Sequence, residues 1–370
     1  MKVAYLSVYR DGTGYGNSAR DFIKCMSKYG VDVVPTWFTL NSRPVVIDKD
    51  IQVRCDLDNV DVVIQQTIPN SFVRIAGVKN IGLFYWESSS FRSSGWQYSC
   101  NLMDEVWMTT QDQIAAAQES GVKSILREVT RPSDFTKYDQ SYEAPPIPDE
   151  IKDTYKFYTI SDYSYRKNIA STVTAFLSEF SSRDNVSLII KTYVDGKNPE
   201  ESLHFIKEAI SSVKSEIKRS EKDYPKIVVM TDVLSEREIL GMHQNFDCYV
   251  TASRGEGECI PAFDAAAFKK PVIATHWNGI SKMFDLDYEP TVKSMIKKPV
   301  FAMAKNAIVP GLYSHKEWWM EGSLWEMMEK MRRAANGEYK NTANENYTKM
   351  VNKFSYEAVG PKLVEALSSK

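Results

Sequence analysis

The sequence predicts an α/β protein built from two doubly wound parallel-sheet domains, and three observations lead there. Short β-rich runs alternate with helical patterns through the first half of the chain. The rhythm then breaks over residues 138–152, where YDQSYEAPPIPDEIK carries three prolines, a composition that neither a helix nor a central strand tolerates. Beyond it the same rhythm restarts. At 370 residues, with 43% hydrophobic and 25% charged side chains, the chain is long enough for two cores and too apolar for disorder.

In order, Val3–Val8 reads as a strand and Gly16–Tyr29 as an amphipathic helix with Ala19, Phe22, Ile23 and Met26 on one face. Gly30 stands where a helix-ending glycine belongs, and Val31–Val34 resumes as strand. Val60–Gln65, Asn80–Trp86 and Glu105–Thr109 are further buried-strand candidates, followed by a helix over Gln111–Glu119 closing at Gly121. After the proline-rich segment, read as an interdomain linker, come strand Lys156–Ile160, helix Asn168–Phe180, strand Val186–Ile190 and helix Pro199–Lys218. Strand Lys226–Met230, helix Glu236–Asn245, strand Cys248–Thr251, a helix from Pro261 and strand Val272–Ala274 complete the pattern. From Lys316 onward the tail reads as helical. In such sheets ligands bind beyond the carboxyl ends of the strands, so function is expected in the loops that follow strands and in a cleft between the two domains.

Charge and cysteine content exclude several classes. Forty-six basic against 48 acidic side chains give a net charge of −2, with no global attraction for nucleic acid. Cys25, Cys55, Cys100, Cys248 and Cys259 are scattered without a CxxC pair, as reduced thiols are. From Met1 the chain runs straight into a strand-like VAYLSV, and no apolar run approaches the roughly 18 residues that cross a bilayer; a soluble, cytoplasmic protein is expected. His204, His243 and His315 have no partner at metal-ligand spacing. Asp56-Leu57-Asp58 and Asp285-Leu286-Asp287 imitate a DxD metal motif without its surroundings.

The most informative stretch runs from Ser253-Arg254-Gly255-Glu256-Gly257-Glu258-Cys259-Ile260-Pro261 to Asp264, then AAAFKKPVIAT. Its glycines let backbone approach a ligand. Pro261 suits the first position of a helix whose unpaired N–H groups attract anions. Glu256 and Asp264, eight residues apart, can flank one ligand, and a carboxylate accepts paired hydrogen bonds from vicinal hydroxyls. The plainer alternative is a charged helix start.

This block resembles the EGFGxPxxEAMAxGxPVIA signature of retaining glycosyltransferases of family 4, which have the GT-B fold of two Rossmann-like domains. Glu256 and Asp264 match the family's E-x7-E pair, with Asp264 one methylene shorter, and Glu258-Cys259 stand where Phe-Gly is usual. The resemblance implies an acceptor-side domain over 1–145, a donor domain over 153–353, and a last helix, about 354–370, packing back on the first domain. It implies a nucleoside-diphosphate sugar donor, UDP favoured, with no cofactor and no metal. Arg166 and Lys167, in Ser164-Tyr165-Arg166-Lys167-Asn168, would grip the diphosphate with the amides of Gly257, Glu258, Cys259 and Ile260. Asp264 would hold the ribose, Glu256 the sugar, and Asp232, Val233 and Leu234 the base. In the first domain Gly14, Tyr15 and Gly16 open a helix after a strand. They resemble a dinucleotide fingerprint, but Asn17 stands where the last glycine of GxGxxG belongs and no ribose-binding acid follows, so they are read as touching diphosphate or acceptor. Glu87 would orient the acceptor or donor sugar, unless it is simply a buried strand-end carboxylate.

The acceptor is expected to be a glycan or lipid. Two alternatives accompany this reading. One is a DNA-modifying glycosyltransferase acting on a hydroxymethylated base, served by a basic groove from Lys191, Lys293, Lys297 and Lys298. The other is an inactive sugar-nucleotide-binding protein, motivated by Asp264, Glu258 and Cys259.

Overall fold

The computed structural model describes residues 1–38, 48–52, 54, 56–300, 313 and 316–369; Cys55 and His315 lie outside them. In chain order the first elements are β1 (Lys2–Ser7), α1 (Gly14–Lys28), β2 (Asp32–Trp37), β3 (Val62–Gln66), β4 (Lys79–Leu83), α2 (Trp96–Cys100), β5 (Glu105–Met108), α3 (Gln111–Ser120) and β6 (Ile125–Glu128). There follow β7 (Tyr155–Ile160), α4 (Ile169–Glu179), β8 (Val186–Lys191), α5 (Pro199–Ile217), β9 (Lys226–Met230), α6 (Glu236–Asn245), β10 (Cys248–Thr251), α7 (Ile260–Ala267), β11 (Val272–Ala274) and α8 (Gly279–Met283). The chain continues with β12 (Met295–Pro299), β13 (Trp318–Gly322), α9 (Leu324–Ala335), α10 (Lys340–Phe354) and α11 (Tyr356–Ser368).

The chain divides into two compact units. The first comprises Met1–Lys137, Val309–Glu317 and Lys349–Lys370, and the second Tyr138–Ile308 and Trp318–Thr348; the sequence reading set these bounds at 145/153 and 353/354.

The first unit holds a six-stranded sheet in the order β2-β1-β3-β4-β5-β6, parallel throughout. Thr13 caps α1 through the Gly16 N–H, and Gly30, at φ 81°, supplies the left-handed turn into β2. The apolar stripe of α1 (Ala19, Phe22, Ile23, Met26) joins one core with Val359, Leu363 and Leu367 of α11. Gly360 lets α11 approach this closely, because a Cβ there would come within 2.2 Å of the Tyr29 ring.

The second unit holds a five-stranded sheet in the order β11-β10-β7-β8-β9, also parallel. Strands β7, β8 and β9 are laid outward in one direction, and β10 and β11 then fill the other side of β7. The strand order therefore reverses between β7 and β10, the position at which ligands of such sheets bind. One face of the sheet buries Phe157, Leu188 and Ile190 with Phe176 of α4. The other carries Tyr158, whose hydroxyl meets His243 Nδ1 of α6 at 3.0 Å.

Three expectations change. Residues 318–322 form β13, antiparallel to β12, where a helix was expected from Lys316; Trp319 is buried between the more exposed Trp318 and Met320, a period of two that only a strand satisfies. Helix α7 begins at Ile260 after a left-handed Cys259 (φ 55°), so Pro261 is its second residue rather than its first. Finally, the segment read as a linker is fastened down. Tyr142 N–H donates to the Gln244 side chain at 2.7 Å, Asn245 donates to the Tyr142 carbonyl at 3.0 Å, and Tyr138 and Tyr142 set their rings edge-on against Phe268. β6 and α2 went unpredicted: β6 is a short, half-exposed edge strand without an apolar run.

Gly241 of α6 is the contact that admits this segment, since a Cβ there would lie 2.0 Å from the Glu143 carbonyl oxygen. Backbone cannot rotate aside as a side chain can. Gly241→Ala is therefore expected to cost about 1–3 kcal/mol, read as a melting temperature lowered by several degrees in thermal denaturation, despite alanine's better helix propensity.

Candidate functional site

The loops after β7 and β10 are stitched together by backbone. Arg254 N–H donates to the Arg166 carbonyl at 2.8 Å, and the Ser253 hydroxyl donates to the same carbonyl at 3.4 Å. Asn168 caps α4 in the left-handed region (φ 53°), which asparagine tolerates better than most residues. Its side chain donates to the Ala252 carbonyl at 3.2 Å. These bonds fix the two residues between them, Arg166 and Lys167, against Glu256.

Lys167 Nζ lies 2.7 Å from both Glu256 carboxylate oxygens. Arg166 Nη1 donates to the Gly255 carbonyl at 2.7 Å and approaches Glu256 Oε2 at 3.5 Å. Glu256 is only 5% exposed. Burial pushes its carboxyl up, but the charges of Lys167 and then Arg166 outweigh burial and hold it below the ordinary value. The far side of the loop is held by Gly279, whose N–H donates to the Glu256 carbonyl at 3.0 Å. A Cβ at Gly279 would sit 2.7 Å from Glu258 Cα.

At the start of α7, Ala262 and Phe263 return their N–H groups to the Cys259 carbonyl at 3.0 and 3.1 Å, whereas Cys259 and Ile260 donate no backbone hydrogen bond among the described residues. Two amide donors are thus left over beside two cations, an arrangement suited to phosphate oxygens. Burial, with the Glu256 charge added, pushes the Cys259 thiol up to about 12, which disfavours the thiolate. Asp264 is buried on α7, and the Tyr138 hydroxyl donates to its Oδ1 at 2.5 Å. Asp232, Val233 and Leu234 follow β9; Val233 is 83% exposed, and Asp232 acts electrostatically on Lys191. The second unit therefore brings Arg166, Lys167, Glu256 and the 257–260 loop together, with Asp264 on the helix that this loop opens.

The remaining candidates belong to the first unit. Gly14, Tyr15 and Gly16 form the first turn of α1. The Tyr15 hydroxyl accepts from Tyr85 N–H at 3.1 Å, two residues before Glu87. Burial and the Glu87 charge both push that phenol up, against the Tyr85 hydrogen bond. Glu87 accepts a hydrogen bond from the Tyr313 hydroxyl, and the Trp86 and Tyr313 rings are 5.5 Å apart.

Some functional neighbours escaped the sequence reading. Arg254 stacks 4.0 Å over the Tyr165 ring and donates from Nε to Glu321 at 2.6 Å, while its carbonyl accepts from Met320 N–H. Glu321 lies on β13, which had been read as helix, so no pattern pointed to it. Tyr138 was hidden in the supposed linker. The lysines suggested for a basic groove lie in differing surroundings. Lys191 is buried, Lys293 donates to the Tyr288 carbonyl, Lys297 lies over Trp318, and Lys298 pairs with Glu321. His276 is buried against Thr291. Among the described residues no three His, Cys, Asp or Glu side chains gather as a metal would require, and no helix is long and apolar enough to cross a membrane.

No family model matches the chain, and no curated protein sequence matches it. Solved structures do. A structure of HepE from Anabaena in complex with UDP and glucose superposes with a TM-score of 0.64 at 13% identity, over 100% of both chains. An E. coli trehalose-6-phosphate structure bound with UDP-2-fluoro glucose gives 0.67 at 9% identity, covering 100% of this chain and 99% of that one. A trehalose-6-phosphate synthase studied for glycosyl transfer with retention gives 0.56 at 9% identity, over 83% of this chain and 73% of that one. The chain shares the fold of these structures, two Rossmann-like parallel-sheet domains.

The Glu256 pairing sets a pH dependence. A carboxyl lowered in the folded state contributes stability that is complete above its unfolded value, near 4.5, and is lost as pH falls through the folded value. Glu256→Gln, which leaves Lys167 facing a neutral amide, is expected to lose about 1–3 kcal/mol at pH 7. In urea titrations the gap between wild type and variant should narrow below pH 4.5.

Proposed function

We propose that the chain is a retaining glycosyltransferase that moves a sugar from a nucleoside-diphosphate sugar, UDP favoured, to a hydroxyl of a glycan or lipid. The observation that carries this reading is the Lys167–Glu256 pair at the strand-order reversal, with Arg166 and the spare amides of Cys259 and Ile260 beside it. A diphosphate bound there would draw on Lys167 and Arg166 as counter-charges. As Lys167 turns partly toward phosphate, Glu256 regains a free oxygen for hydroxyls of the donor sugar. Asp264, already engaged by Tyr138 at one oxygen, is assigned the ribose. Glu87 and the Gly14–Gly16 turn of the first unit are assigned to the acceptor and the outer phosphate.

In the proposed reaction the acceptor oxygen attacks the anomeric carbon from the face that the diphosphate leaves. The bond from that carbon to the phosphate oxygen breaks, and the acceptor proton passes to the departing phosphate. No protein nucleophile is needed. Charge building on the leaving group is offset by fixed cations and amides, the kind of preorganised electrostatics that dominates many catalysed group transfers. Neither cofactor nor metal enters the proposal. UDP among the ligands of the fold neighbours and the retention described for one of them support the donor and the stereochemistry. Buried, unbridged Cys25, Cys100, Cys248 and Cys259 accord with a reducing, cytoplasmic setting.

A thermal-shift screen of UDP, GDP and ADP is expected to raise the melting temperature most with UDP, since a ligand of the folded state stabilises it by mass action. Lys167→Ala should lower transfer by about 10²–10³-fold with its circular dichroism spectrum unchanged. Turnover close to wild type would remove Lys167 from the mechanism.

A further inference from the structure

Strand β8 ends in Lys191, a lysine only 8% exposed. Strand alternation fixes its direction. Leu188 and Ile190 enter the core with Phe157 and Phe176, so Ile189 and Lys191 project from the opposite face. That face also carries Tyr158, in register with Ile189, and Tyr158 lies within the electrostatic reach of Asp264 on α7. Lys191 thus stands at the carboxyl end of β8, on the face where Tyr158 meets His243 of α6.

Among the described residues the Lys191 ammonium makes no hydrogen bond or ion pair. Burial pushes it below the ordinary lysine value, and only the more distant charge of Asp232 opposes the shift. A buried charge is normally paired, so this one is held ready for a group that the folded chain does not supply. Its place in the sheet indicates which group. β8 lies between β7, whose loop carries Arg166 and Lys167, and β9, whose loop carries Asp232. Neighbouring strands are about 4.8 Å apart, so Lys191 is one strand from the cation pair and one from the Asp232 loop. A nucleoside reaching from its phosphates toward its base covers that interval.

We propose that Lys191 selects the base of the donor nucleotide by donating to O4 of uracil. An ammonium has three donors and no acceptor. It therefore favours uracil, whose O4 accepts, over cytosine, which presents an amino donor at the same position. This rests on the glycosyltransferase reading, and the test separates the two.

Calorimetry on the full chain with UDP and CDP reads the effect directly. Wild type is expected to bind UDP at least tenfold more tightly than CDP. Lys191→Met, close in length and able to stay buried, should weaken UDP about tenfold and CDP less than threefold, so that the preference collapses. Lys191→Gln gives the same ratio should the Met variant fold poorly. Equal weakening of both ligands would make Lys191 a phosphate counter-charge and overturn the proposal, as would unchanged UDP binding. A wild type that binds UDP and CDP equally also overturns it while leaving the glycosyltransferase reading standing. Failure of wild type to bind any nucleoside diphosphate would remove that reading together with the role of Lys191.

Discussion

A carboxylate buried as deeply as Glu256 stays ionised only if cations come to it, and that requirement organises the second unit. Lys167 and Arg166 belong to a loop 89 and 90 residues earlier in the chain. They reach Glu256 because β7 and β10 are neighbours in the sheet, and they are neighbours because the strand order reverses between them. Bonds from the Ser253 hydroxyl and the Arg254 N–H to the Arg166 carbonyl then set the loops at one spacing. The left-handed residues Asn168 and Cys259 turn each loop into its following helix. Pair, topology and turn residues thus form one device, in which charge is stored where a phosphate ligand is assigned.

Much of the sheet architecture could be read from residue patterns alone. β9, α6, β10 and β11 fall on the residues expected, because each is a clean apolar or amphipathic run bounded by turn chemistry; Ser235 and Glu238 even form the capping box that opens α6. What failed was local pattern without tertiary context. Trp318–Gly322 carries residues at home in either element, and only pairing with Met295–Pro299 made it a strand. The prolines of 145–148 correctly excluded regular structure, yet they could not reveal that the residues before them are bound to α6 and α7.

The candidate site divides the same way. Residue type and spacing pointed to Glu256 and the family resemblance to Lys167 and Arg166, and the fold gathers all three. No motif pointed to Tyr138 or Glu321, and Arg254 stood in the motif without a role, because each acts through contacts that no spacing encodes. Tyr138 bears on the shortened acid of the Glu/Asp pair. Asp264 lacks a methylene relative to glutamate, and a hydroxyl from outside the helix already occupies one of its oxygens, so its reach is set partly by Tyr138 and not by its own length.

The sharing of one apolar core by α1 and α11 also constrains the order of events on the ribosome. The α1 stripe of Phe22, Ile23 and Met26 is translated early, but the Val359, Leu363 and Leu367 that cover it emerge only after the whole second unit has been made. The nascent amino-terminal sheet must wait with that flank bare, at the risk of sticking to other chains. The unit synthesised first is therefore the last to be sealed.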